Sequence, residues 1–253
     1  MDVLPALPSG ATLAWLLAAA LAGGLARGFS GFGAALIFVP LASIGLGTRQ
    51  AAPLMLALEV LAVALLTPAA WRIADRREVG WLALGAALGT PLGAAVLALA
   101  DPLALRWGVA LAILGLLGLL VTGWRFRGVP SPPVTLGFGL AGGVLGGVAM
   151  VSGPPAMAYL MGRDGTARQL RADFALYLAA GAVFAGIAYA MAGLLGPALV
   201  APFVVAAPVY WLGILGGTWM FGLASERVFR QACFGMIALA ALLSLPVWDD
   251  MLR

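Results

Sequence analysis

The sequence contains no lysine and no histidine, has one cysteine (Cys233), and only 9% of its residues are charged. A lone thiol excludes an intrachain disulfide, and without histidine or a second cysteine no thiolate or imidazole metal cage can be assembled. No Walker loop and no clustered carboxylates occur, so neither a metallo-hydrolase nor an ATP-driven pump is credible from this chain alone, and no cofactor is expected. All 14 basic residues are arginine and the net charge is +4. They are dispersed among loops and form no concentrated basic face, so nucleic-acid binding is not expected. The start, Met1-Asp2-Val3-Leu4-Pro5, lacks the basic n-region of a cleaved secretory signal.

What the chain has in abundance is apolar sequence. It is 63% hydrophobic over 253 residues, with a mean hydropathy of +1.07. A soluble domain of this size needs a polar surface that 9% charge cannot supply, so the composition describes an integral membrane protein surrounded by lipid. Predominantly apolar runs long enough to cross or enter a bilayer fall at about 11–26, 30–46, 53–71, 80–100, 103–124, 134–150, 153–162, 174–193, 200–223 and 231–248. Glycines at four-residue spacing, Gly85-Gly89-Gly93 and Gly139-Gly143, predict close helix packing. Trp71, Trp81, Trp107, Trp124 and Trp248 flank the runs, and the tryptophans and tyrosines together read as an interfacial belt.

The tract Pro130-Ser131-Pro132-Pro133 divides the chain into a first membrane repeat, 1–129, and a second, 130–253. Internal similarity supports that division. Ser30-Gly31 recurs as Ser152-Gly153, Gly47-Thr48-Arg49-Gln50 as Gly165-Thr166-Ala167-Arg168-Gln169, and Gly89, Gly93 and Arg106 recur as Gly213, Gly217 and Arg230. Each half opens with a glycine-rich break inside an apolar run, at Arg27-Gly28-Phe29-Ser30-Gly31-Phe32-Gly33 and at 146–155. If each broken segment were one span, the thirteen arginines other than Arg27 would divide seven against six across the membrane. If each is a hairpin, the loops at 72–79, 125–133, 162–171 and 225–230 share one side with ten arginines, against Arg49, Arg106 and Arg253 on the other. The positive-inside rule favours the second arrangement, which predicts an all-α polytopic fold of two inverted repeats. Each repeat would be a broken or re-entrant hairpin followed by three transmembrane helices, with both termini outside and the two breaks meeting near the midplane.

At a break between helices, free amides and the positive helix end form an anion site without a basic side chain. Ser30 and Ser152 add hydroxyl donors, Gly31, Gly33 and Gly153 admit close approach, and Pro154 with Pro155 holds an open helix start. A pair of packing kinks is the alternative reading. Arg27, next to the first break, is a candidate for balancing ligand charge. Glu59, within an apolar run, is the candidate for carrying a coupling proton or for pairing with Arg27. Gln50, Gln169 and Arg168 recur at matching hairpin ends and read as interfacial caps with a gating role open. Asp173 with Arg171, and Glu226 with Arg227 or Arg230, read as surface pairs.

Two hydrophobic halves, each opening with a Gly/Ser-rich break and a following proline, are similar to the TauE/SafE family of sulfite exporters and related permeases. The residues are Gly28-Phe29-Ser30-Gly31-Phe32-Gly33 with Pro40, and 146–153 with Pro154 and Pro155. Ala34 and Ala35 depart from the family's tendency to continue the first motif with glycine. The resemblance implies a secondary transporter of sulfite, organosulfonates or related sulfur-containing anions, in the bacterial inner membrane. Alternating access at the paired breaks is the corresponding expectation, with a small anion and the lipid bilayer as partners. A homo-oligomer is compatible with this composition. A passive anion channel and a non-transporting membrane anchor or assembly subunit are the rival readings.

Overall fold

The computed structural model of the chain describes residues 10–31, 33–221 and 226–248. The side chains of Ser30 and of residues 226–230 lie outside the described set, as do Phe32 and the terminal residues Met1–Pro5, Asp249, Asp250 and Arg253. Among the described residues there are ten α-helices, two short 3₁₀ turns and no strand. Each apolar run contains a helix: α1 (Gly10–Ser30), α2 (Ala34–Leu46), α3 (Thr48–Ile73), α4 (Arg76–Leu99), α5 (Pro102–Thr122), α6 (Pro132–Ala149), α7 (Gly153–Leu160), α8 (Ala167–Met191), α9 (Val200–Phe221) and α10 (Glu226–Leu243). Lipid offers backbone amides and carbonyls no partner, and a helix satisfies both within the segment. Six helices are long and apolar enough to cross a membrane, or seven when Thr48–Ala64 and Thr67–Ile73 are counted as one bent span. Pro68 accounts for that bend, because it removes an amide hydrogen from the helix interior.

Helix starts follow local chemistry. Asp75 Oδ1 accepts from the amides of Arg77 (3.1 Å) and Glu78 (3.2 Å), and Asp101 Oδ1 from Leu103 (2.9 Å) and Ala104 (3.0 Å). Thr166 Oγ1 accepts from the Gln169 amide at 3.2 Å. These are N-caps, each satisfying donors that a helix start leaves free.

Packing groups the helices in two units that do not follow the repeat boundary at 129–130. The first comprises the described residues up to Leu58, Ala100–Gly118 and the described residues from Leu194 onward; the second comprises Glu59–Leu99 and Leu119–Gly193. In the first unit α1 packs on α9 and on α2, and α10 packs on α2. In the second, α4 packs on α6 and α8, and α7 packs on α6 and α8. The main neighbour of α1 is therefore α9, and that of α6 is α4.

Glycine makes both pairings close. A methyl added at Gly24 or Gly28 would run into the backbone of α9 at Tyr210 or Ile214, and one at Gly213 would stand 2.8 Å from the Leu21 carbonyl. On α4, methyls at Gly85, Gly89 and Gly93 would strike the α6 backbone; Gly139, Gly143 and Gly147 face α4 in the same way. The four-residue spacing thus serves backbone-to-backbone packing. Gly23 faces Ala34 and Phe38, while Gly45, at the far end of α2, faces Thr12 at the start of α1, so α2 runs back along α1. In the second unit Ser152 lies against Gly142 and Gly146 at the end of α6, whereas Tyr159 reaches Thr135 and Phe138 near its start. Helix α7 runs back along α6.

Candidate functional site

The first break belongs to the first unit. Helix α1 stops at Ser30, and Gly31 (φ +74°) and Gly33 (φ +92°) take left-handed conformations before α2 begins at Ala34. A side chain at either position would cost about 1–2 kcal/mol, which explains the glycines. Arg27 is buried in the last turn of α1, and its Nη1 donates to the Gly31 carbonyl. The Gly31 amide donates back to the Arg27 carbonyl at 2.9 Å. Arg27 therefore closes the first break on itself. Glu59 is buried in α3, at the point where that helix passes into the second unit.

The second break is built differently. Helix α6 ends at Ala149, and Met150 is left-handed (φ +58°). The Met150 amide donates to Gly146 O at 2.8 Å and the Val151 amide to Leu145 O at 3.3 Å. Ser152, partly accessible, precedes the α7 start Gly153-Pro154-Pro155, all three buried. The prolines carry no N–H, so the amide hydrogens of the first turn belong to Gly153 and Ala156. Gly153 lies beside the Phe174 ring, which would stand 3.3 Å from a methyl at that position. Tyr189 Oη donates to Gly146 O at 3.2 Å, and the Tyr177 hydroxyl is buried next to Gly142. Ser152, Gly153 and Pro154 are thus brought together, with three aromatic residues of α8 around them that the sequence pattern did not single out.

Gln50 is exposed in the first turn of α3, and Arg168 is exposed in the first turn of α8 beside the half-buried Gln169. All three are helix-start residues. The Gln169 amide completes the Thr166 cap.

At the other end of the α6–α7 hairpin lies a polar cluster that sequence reasoning missed. The Tyr159 hydroxyl donates to Glu78 and stands 2.7 Å from Thr135 Oγ1, which is 2.9 Å from Glu78 Oε1. Arg163 spans Asp75 (3.5 Å) and Glu78 (3.6 Å). The Phe126 amide donates to Ala158 O at 2.9 Å. The arginine-bearing loops around 75, 126 and 163 therefore converge on one end of the second unit. In the first unit Arg49 donates to Ala100 O (2.8 Å) and Arg106 to Ser244 O (3.1 Å), so the loops of the sparser arginine group also come together.

Two readings of the sequence need correction. Asp173 forms no surface pair: it is 3% exposed and accepts the Asp75 amide at 2.7 Å, because α8 packs on α4 and carries the carboxylate to that helix start. The tyrosines form no interfacial belt, since Tyr159, Tyr177, Tyr189 and Tyr210 are all fully buried. The hydroxyls of Tyr159 and Tyr189 bond to groups within the protein, which lets an otherwise apolar interior hold them. Trp71, Trp124 and Trp248 are exposed as a belt requires. The pairs of Glu226 with Arg227 or Arg230 lie outside the described side chains.

The ten helices among the described residues, six of them long and apolar enough to cross a membrane, with a broken hairpin in each unit, define a polytopic α-helical membrane protein. Residues 16–244 match the sulfite exporter TauE/SafE family. The chain belongs to that family and is a transmembrane transporter. No curated protein and no solved structure matches it.

Proposed function

We propose that this chain is a secondary carrier that moves small sulfur-containing anions, sulfite or an organosulfonate, across a bacterial inner membrane by alternating access. The observation that carries this reading is the second break, where a partly accessible serine precedes a helix start beside a buried tyrosine hydroxyl. Hydroxyl and amide donors near a helix N-terminus suit an anion whose charge is spread over several oxygens. Ser30, Gly31 and Gly33 would form the equivalent element in the first unit, with Arg27 holding its backbone and balancing charge. Glu59 would carry a coupling proton.

The two sequence repeats, 1–129 and 130–253, are proposed to be inverted copies with both termini outside. The return of α2 along α1 and of α7 along α6 supports this, as does the meeting of three arginine-rich loops.

Purified protein in liposomes tests the function with labelled sulfite, sulfate, thiosulfate, sulfoacetate and a carboxylate control, with and without a proton gradient. Saturable, counterflow-capable movement of a sulfur anion is expected. Large electrical currents without counterflow would instead make the protein a channel, and no movement by folded protein would make it an anchor.

A further inference from the structure

Tyr177, on α8, has a fully buried side chain, and its hydroxyl has no hydrogen-bond partner among the described residues. Tyr189 on the same helix donates to Gly146, and Tyr159 is bonded to Glu78 and Thr135. A buried hydroxyl without a partner is destabilising relative to phenylalanine, so such a group calls for an explanation. Its position supplies one. A methyl at Gly142 would collide with the Tyr177 hydroxyl and stand 3.0 Å from the Ser152 carbonyl, so hydroxyl and break converge on one point. Gly181, one turn after Tyr177 on α8, faces the same break, with Ser152 Oγ 3.7 Å from where its methyl would be. Ser152 Cβ in turn stands 3.2 Å from a methyl placed on Gly146.

The second break is therefore floored by three glycines and two hydroxyls. We propose that Tyr177 is a substrate-binding residue of this site, its hydroxyl and that of Ser152 donating to separate oxygens of one sulfur oxoanion, beside the α7 amides. The assignment rests on the carrier reading above. Ser152 is partly accessible and Tyr177 is fully buried, so the assignment requires the segment 150–152 to shift before an anion meets the tyrosine hydroxyl. An anion oxygen then supplies the acceptor that the ligand-free interior lacks, and a charged acceptor makes the stronger bond.

The test compares wild type with Tyr177→Phe in liposome counterflow of labelled sulfite and sulfoacetate, alongside thermal unfolding of both proteins. Phenylalanine keeps the ring and removes only the hydroxyl. The expected result is a KM raised about tenfold or more, a maximal rate within about twofold, and an unfolding midpoint equal to or above wild type. An unchanged KM, or a midpoint lowered as loss of a structural hydrogen bond would lower it, overturns the role of Tyr177 alone. Failure of the wild type to move either anion overturns the carrier reading and this assignment together.

Discussion

Arg163 Nη2 lies 3.5 Å from Asp75 Oδ2, joining the loop between α7 and α8 to the loop between α3 and α4. These loops are 88 residues apart in sequence (163 minus 75), and a single-span reading of the second break would place them on opposite membrane faces. The contact fits the proposed return of the chain across the second break. Single cysteines introduced at Arg127, Asp164 and Gln50 in a Cys233→Ala background check this in intact cells. Labelling by a membrane-impermeant maleimide should place 127 and 164 on the same face and 50 on the other. Opposite faces for 127 and 164 would contradict the hairpin.

The same contact has an energetic consequence. Arg163 is the cation paired with both Asp75 and Glu78, and Asp75 is itself bonded through its amide to the Asp173 carboxylate. Arg163→Ala leaves these carboxylates facing one another in a partly buried place. A loss of about 1–2 kcal/mol is expected, less than for a fully buried pair because Asp75 and Arg163 keep some solvent. Thermal unfolding in detergent measures it, and adding Glu78→Gln to the variant should recover part of the loss.

Two glycines on α6 provide an internal control for packing. A methyl at Gly139 would run into the Leu82 backbone of α4, whereas a methyl at Gly137 meets nothing within 4 Å. Gly139→Ala should destabilise the protein by about 1–3 kcal/mol through overpacking. Gly137→Ala should be neutral or stabilising by up to about 1 kcal/mol, from helix propensity. Equal midpoints for the two variants would show that α4 and α6 can separate freely.

Arg27→Ala separates structure from transport at the first break. The guanidinium donates to Gly31 O, so its loss removes one bond to the break while leaving the Gly31 amide bonded to the helix. Loss of anion uptake is expected while folded protein remains in the membrane, as judged by a monodisperse gel-filtration profile. Unchanged uptake would remove Arg27 from the proposed site.

Much of this protein was determined by sequence alone. Lipid satisfies no backbone group, so a long apolar run folds into a helix, and among the described residues each of the ten runs contains one. Glycines at four-residue spacing could serve only where two helices approach closely, and Gly85, Gly89 and Gly93 lie against the α6 backbone. The breaks were equally legible, since Gly31 and Gly33 occupy conformations that other residues avoid.

Only the tertiary structure decided which segments meet. In an apolar chain every helix face resembles every other, so composition cannot pair α1 with α9 or α4 with α6. The same ambiguity concealed Asp173, whose partner is a main-chain amide that no side-chain pattern announces. It also concealed Tyr177, because a tyrosine in an apolar run reads alike at a lipid boundary and beside a helix break. The difference lies in what surrounds its hydroxyl, and that is set by Gly142 on α6 and by Ser152 at the break, residues brought to α8 only by folding.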